Sequence, residues 1–473
     1  MELKEAEEME PVSPSGQYLN SSALSLSVLG VLESEIPIDD SQCFSLLKDI
    51  FLPINPRFSS IMVVDENGEK QWKRVEVKLR NHVKVPIFPS GLSPEAYDKY
   101  FDDYISEIGM ELFPQSQPLW EVHIIKYPTS HAAGFLIFKL HHSLGDGFSL
   151  MGALLSCLQR ADDPSVPLTF PSVNRFPSNK KDGNNSNIFS NMYKTFCVVS
   201  ETVSDFCWSF VKSAWLQDDR TPIYSGDDGI EFRPVSVATT AFSLDQIKQI
   251  KTKVDATVND VIAGIIFLGT RLYMQEMRQG SGEANSTTLV LLNTRAFRSY
   301  ESVKDMVKPD AKSPWGNYFA FLHVSIPKLA DDWSSNPLDF VVKARQIMNV
   351  KKNSLGAYLT GRLLEIVRKF RGPEAAARYI HSTLKNSSMT ITNVIGPVEK
   401  MALNNHPCKG LYFVVTGAPQ SLSVTIISYM EKLRVSVVAE DGFIDSQKLK
   451  SCVEHAFEVM LNATVETKFL NSH

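Results

Sequence analysis

The sequence predicts an α/β protein made of two halves, each a mixed sheet flanked by helices. Three observations carry this. Strand-like apolar runs alternate with helical periodicity along both halves. The chain has 473 residues, more than one core ordinarily organises, so two domains of roughly 200 residues are expected. Between them lies Ala161–Asn187, rich in Pro, Ser, Asn and Lys and poor in apolar side chains. The expected division is 1–160, then a linker and crossover helix over 161–228, then 229–473.

In the first half, Ser41–Phe51 reads as a helix with Phe44, Leu47, Ile50 and Phe51 on one side. Ile61–Val64 and Trp72–Val77 read as strands around the turn Asp65–Gly68. A helix over Pro94–Ile108 follows, then the strands Pro118–Ile125 and Ala133–Leu140, and a helix over Phe148–Gln159. After the linker, Ile188–Leu216 carries apolar residues at spacings of three and four, among them Phe196, Phe206 and Phe210. Lys194, Glu201, Asp205 and Lys212 interrupt it at other angles. Two readings stay open for it, a core or crossover helix and a helix lying in a membrane interface.

The second half offers the strands Val235–Phe242, Thr287–Asn293, Tyr318–Ser325, Ser388–Val394, Leu422–Tyr429 and Leu433–Ala439. Helices are expected over Leu244–Lys253, Thr257–Met277, Pro337–Asn353 and Ser446–Asn462. Two similar halves imply a cleft between them, a common place for a ligand.

Composition narrows the function. A net charge of −5 gives no electrostatic footprint for nucleic acid. Six scattered cysteines with no CxxC pair suggest neither a zinc site nor a disulfide framework, so no metal is expected. The acidic opening, Met1–Pro11, lacks the basic start and apolar centre of a signal peptide. No run of about 20 apolar residues offers a membrane span.

The chemistry concentrates in His141-His142-Ser143-Leu144-Gly145-Asp146-Gly147, at the end of the strand Ala133–Leu140. Neighbouring strand residues face opposite ways, so only one histidine can enter a given cleft. Alternation puts His142 with Leu140 and Phe138, and His141 with Lys139 and Ile137. A neutral imidazole can accept a proton from a hydroxyl or thiol. Asp146 is placed to brace the turn, and Gly147 suits a special backbone conformation or a close helix approach.

HHxxxDG at a strand end resembles the CoA-dependent acyltransferase superfamily. Further segments narrow the resemblance: Pro118-Leu119-Trp120-Glu121, Thr257-Val258-Asn259-Asp260-Val261, Asn293-Thr294-Arg295, Gly316-Asn317 and Thr392-Asn393-Val394-Ile395-Gly396-Pro397. Together they are similar to the wax ester synthase/diacylglycerol acyltransferase family, over nearly the whole chain. Ile395 stands where that family commonly has proline, and the DFGWG signature of the plant BAHD acyltransferases is missing. The resemblance implies two chloramphenicol-acetyltransferase-like domains with an active-site tunnel at their interface. It implies transfer of an acyl group from acyl-CoA to a long-chain alcohol, with diacylglycerol as a further acceptor. Acyl-CoA is a substrate, and no cofactor is implied.

The resemblance also assigns roles. His142 is the general base and His141 supports the turn. Asp146 is a structural brace turned into a salt bridge, for which Arg295 is the candidate partner. Asn259 and Asp260 either cap a helix or face the tunnel and bind substrate. Thr392 and Asn393 either end a strand or donate hydrogen bonds to the tetrahedral oxyanion. The implied partner surface is a membrane, at the cytosolic face of the endoplasmic reticulum or alternatively the plasma membrane. Oligomeric state is not readable. Two other readings are a BAHD- or condensation-type enzyme with a soluble acceptor and a catalytically silent lipid binder of the same fold.

Overall fold

A computed structural model of the protein describes residues 9–66, 70–166, 168, 202–295, 314–330, 332–353 and 356–470. Its described strands are β1 (Met9–Pro11), β2 (Ser27–Ser34), β3 (Ser60–Val64), β4 (Lys70–Arg74), β5 (Val83–Lys84), β6 (Trp120–Ile125), β7 (Gly134–His141) and β8 (Gln159–Arg160). They continue as β9 (Val235–Ser243), β10 (Thr287–Asn293), β11 (Phe319–Ser325), β12 (Met389–Ile395), β13 (Met401–Leu403), β14 (His406–Thr416), β15 (Leu422–Tyr429) and β16 (Lys432–Glu440).

Two large mixed sheets organise the molecule. The first has the order β5-β6-β7-β2-β14-β13-β8 and the second β11-β10-β12-β15-β16-β9; β1, β4 and β3 form a small ribbon. Among the described residues only the β5–β6, β10–β12 and β12–β15 pairs are parallel. Every residue of β2 and β7 is buried, as expected of strands covered on both faces.

The second sheet shows how alternation recruits helices to both sides. Leu289 of β10 packs with Tyr18, Ala376 and Leu384, beneath the helices Gly356–Arg371 and Pro373–Lys385. Its neighbour Val290 packs against the opposite cluster, beneath Val258–Met277. That helix is held close to its partners by two glycines. A Cβ on Gly264 would lie 2.9 Å from Val341 Cα, and one on Gly269 would lie 2.6 Å from Val453 Cα.

Most of the linker expected over Ala161–Asn187 lies outside the described residues, but the sheets do not follow the order of the chain. Residues 401–416, expected in the second domain, contribute β13 and β14 to the first sheet, and β14 lies against β2 through most of its length. At Gly417, with φ +81°, the chain turns and enters the second sheet as β15. The sheets are also clasped by a half-buried ion pair between Glu33 on β2 and Arg434 on β16.

Local expectations fail in instructive ways. Ser41–Phe51 is not one regular helix. Cys43–Leu46 passes into a π-helical turn, Leu47–Phe51, which leaves Phe44 and Ile50 exposed while Leu47 and Phe51 are buried. The second strand of the ribbon is Lys70–Arg74 rather than Trp72–Val77. In the expected crossover helix 188–216, residues 202–214 are helical, and 188–201 lie outside the described residues.

Of the two readings open for this helix, the described part, 202–214, does not turn its apolar stripe into the core. Thr202, Asp205, Ser209, Lys212 and Ser213 face inward, whereas Val203, Trp208, Val211 and Trp215 are exposed. Phe206 and Phe210 are half-buried. Ion pairing explains this orientation. Lys212 meets Asp218, and Asp205 meets Lys351 at the end of Asp339–Asn353. Buried charges are tolerated when paired and hydrogen-bonded, and Asp218 also accepts from Thr287 and Ser388.

Candidate active site

The histidine turn sits between the two sheets. β7 ends at His141, the backbone N–H of His142 donates to Leu26 O at 2.8 Å, and the helix Gly147–Ser156 leaves the turn. Asp146 caps that helix by accepting from Ser149 N at 3.0 Å.

His142 lines a cavity of about 200 Å³, open at its mouth, with walls from β2, the helix Gly147–Ser156, β10, β11, β12, β14 and β15. The residue is only 6% exposed. Nδ1 lies 3.0 Å from Asn317 Oδ1, while Asn317 Nδ2 donates to His142 O at 3.0 Å. That second bond fixes the amide's orientation, so its oxygen must receive a proton from Nδ1. The other nitrogen, Nε2, is left with its lone pair, as a general base requires. Burial pushes the His142 pKa below its ordinary value, although Asp146 and Asn317 pull it back up. The imidazole is therefore neutral at neutral pH.

His141 is tied away from the cavity. Its Nδ1 accepts from Ser143 N at 3.2 Å and lies 2.7 Å from Ser143 Oγ; its Nε2 lies 3.0 Å from Ser25 Oγ. Both nitrogens are engaged in holding the turn. Burial, reinforced by the positive field of His142, lowers its pKa to about 3.

Asp146 has no oxygen to spare for catalysis. Oδ2 accepts from Arg295 Nη1 at 2.6 Å and Tyr318 N at 2.9 Å; Oδ1 accepts from Arg295 Nη2 at 3.1 Å and Ser149 N. Arg295 is buried and also donates to Ser149 Oγ, Gly316 O and Pro314 O. Trp315 Nε1 donates to Leu144 O at 2.8 Å. Thus Arg295 and the stretch Pro314–Tyr318, both from the second half, clasp the turn of the first.

Three expectations change here. Gly147 lines the cavity, but its φ is not positive, and an added Cβ would meet only Val394 Cγ2 at 3.5 Å, an ordinary contact. The glycine required by packing is Gly145, whose Cβ would lie 2.9 Å from Ser149 Cβ and 3.5 Å from the Trp315 ring. Asp260 does not reach the cavity. It closes a capping box with Thr257, accepting from Thr257 N at 2.9 Å. Asn259 is likewise outside the lining and exposed, and its oxygen accepts from Asn393 Nδ2 at 2.9 Å. Thr392 and Asn393 do line the cavity, on β12.

Sequence reasoning gave no role to Asn317 and Ser149. The only signal for Asn317 was its pairing with Gly316 as a matching segment. Its target, 175 positions away, is set by the tertiary fold alone.

Two sheets clasped around a cavity, with a basic imidazole at its centre, define the CoA-dependent acyltransferase fold class. Solved structures agree on the fold. A wax ester synthase/diacylglycerol acyltransferase from Marinobacter aquaeolei superposes with a TM-score of 0.60 at 15% identity, covering 96% of this chain and 100% of that one. The first condensation domain of the calcium-dependent antibiotic synthetase gives 0.53 at 11% identity, covering 93% and 91%. Residues 51–262 match the wax ester synthase/diacylglycerol acyltransferase catalytic domain, and 315–461 match the WS/DGAT C-terminal domain. Among curated relatives from Arabidopsis thaliana, wax ester synthase/diacylglycerol acyltransferase 9 is 29% identical over 100% of this chain and 99% of its own length. Number 11 is 28% identical over 98% and 97%, and number 4 is 28% identical over 93% and 87%. The chain belongs to the wax ester synthase/diacylglycerol acyltransferase family and is an acyltransferase.

Proposed function

We propose that the protein transfers the acyl group of a long-chain acyl-CoA to the hydroxyl of a long-chain alcohol, giving a wax ester, with diacylglycerol as a second acceptor. The observation that carries this reading is the tautomer of His142, whose free Nε2 lies in a cavity with a largely apolar wall. In the proposed reaction Nε2 takes the hydroxyl proton as the oxygen attacks the thioester carbonyl. The tetrahedral intermediate collapses with cleavage of the C–S bond, and the imidazolium returns the proton to the CoA thiolate. The thioester is an activated donor, so one histidine suffices without a covalent enzyme intermediate. Thr392 and Asn393 are the proposed donors to the oxyanion. The names of the Arabidopsis relatives support both acceptors.

The test is acyl transfer from palmitoyl-CoA to hexadecanol or diacylglycerol, with wild type beside His142→Ala. Ester formed by wild type and abolished in a folded mutant is expected, and the better acceptor names the main product. Ester formation retained by His142→Ala removes the assignment.

The proposed location is peripheral, on the cytosolic face of the endoplasmic reticulum, with the plasma membrane as the alternative. Support comes from the exposed apolar face of helix 202–214, where Trp208 and Trp215 stand in solvent. No helix among the described residues is long and apolar enough to cross a membrane. Trp208→Ser with Trp215→Ser should reduce membrane pelleting; unchanged pelleting rejects that helix as the anchor.

A further inference from the structure

We propose that a second surface, the outward face of the helix Gly356–Arg371, docks the protein on an anionic lipid surface. The inference rests on the proposed use of long-chain substrates, and its evidence is separate from helix 202–214. Tyr358, Ile366 and Phe370 are 64%, 55% and 75% exposed. Their spacings of eight and four place them on one side of the helix. Exposed Arg362 and Lys369 stand among them; Arg371 is exposed at the helix end, and Arg368 is half-buried. Glu365 is the helix's one acid and is paired with Arg362 at 2.9 Å. The helix carries four cations against that one acid, in a chain whose net charge is −5.

Large apolar side chains interleaved with cations are rewarded together by an anionic bilayer, where rings enter the interface and cations meet headgroups. A second copy is a poorer occupant, because a two-fold contact would set like charges against each other. The helix is also well placed for a lipid substrate. Its inner residues Leu364 and Val367 pack on the cluster that holds Leu26 and Leu384, two residues of the cavity wall. A bilayer held by this helix would therefore lie on the side of the molecule where Leu26 and Leu384 wall the cavity.

The experiment is flotation of the full-length protein with vesicles of phosphatidylcholine alone or mixed with phosphatidylserine, without substrate. Wild type should float with the mixed vesicles, less so as salt rises, and poorly with phosphatidylcholine alone. Lys369→Glu with Arg371→Glu should weaken binding by at least about fivefold for each cation lost, since each contributes about 1 kcal/mol near such a surface. Ile366→Ser with Phe370→Ser should weaken binding to the same vesicles while melting as wild type, because these side chains are exposed. Wild-type binding by both variants overturns the proposal, as does wild type that ignores vesicle charge. A wild-type dimer dispersed by the same substitutions also overturns it, in favour of a contact between copies. Turnover of detergent-dispersed hexadecanol, measured in parallel, reads the proposed chemistry independently of docking.

Discussion

At the scale of single residues the site separates chemistry from support. His142 is the proposed base, Asn317 hydrogen-bonds its Nδ1, and Asp146 spends its acceptor capacity on structure. Asn317→Ala should lower kcat about tenfold, the worth of one well-placed hydrogen bond of about 1–1.5 kcal/mol, with little change in KM for acyl-CoA. Steady-state kinetics decide this; equal loss in a residue remote from the imidazole would remove its positioning role. The acid limb of kcat/KM should report an apparent pKa below the ordinary imidazole value of about 6.5, because burial depresses that of His142. Activity should be flat above that limb and fall as protonation removes the base. A limb at or above the ordinary value would contradict the buried, neutral imidazole. His141 carries a linked stability effect. Its pKa falls to about 3 on folding, so the unfolded chain binds the extra proton between that value and about 6.5. Its contribution is complete above that window and is lost as pH falls through it. Denaturant melts of wild type and His141→Gln over this range should diverge, with the flatter pH dependence in the variant.

At the scale of elements, packing and pairing override local pattern. Periodicity located most helices and strands, because apolar spacing of 3.6 or 2 residues is a local property. It left the inward face of helix 202–214 open, since the partners of Asp205 and Lys212 lie far away in sequence or on a following turn. Pattern also passed over β2 and β14, the two central strands of the first sheet. Both are too thoroughly buried to show a clean alternation, and Gly30 and Gly410 interrupt them. The helix Val258–Met277 offers a direct test of close packing. Gly269→Ala should cost about 1–3 kcal/mol by forcing Val453 and the helix Ser446–Leu470 outward. A denaturant midpoint equal to that of wild type would show that the helices already have slack.

At the scale of the whole molecule, the clasp between the halves makes the site. Arg295 and Asp146 are buried and bound through two parallel hydrogen bonds, and removing one partner strands the other's charge. Asp146→Ala should therefore lose about 3–5 kcal/mol of stability along with activity. Unchanged melting would mean that the clasp is not what joins the halves. β14 makes the same point by topology. The first sheet is incomplete until residue 416 has been placed, so the first half of the chain does not hold its own sheet entire.

The sequence by itself determined the α/β class, the strand-turn-helix around His142, the choice of Asp146 as a brace and the family resemblance. These follow from periodicity, composition and short motifs, all of which are local. The tertiary structure alone decided that Asn317 orients the base, that Asp260 is a helix cap rather than a ligand, and that Gly145 rather than Gly147 is the glycine packing demands. It alone placed residues 401–416 in the opposite sheet. Each of these depends on which distant backbone or side chain arrives at a given atom. Hydrogen-bond partners and close contacts separated by many residues leave no periodic trace in the chain.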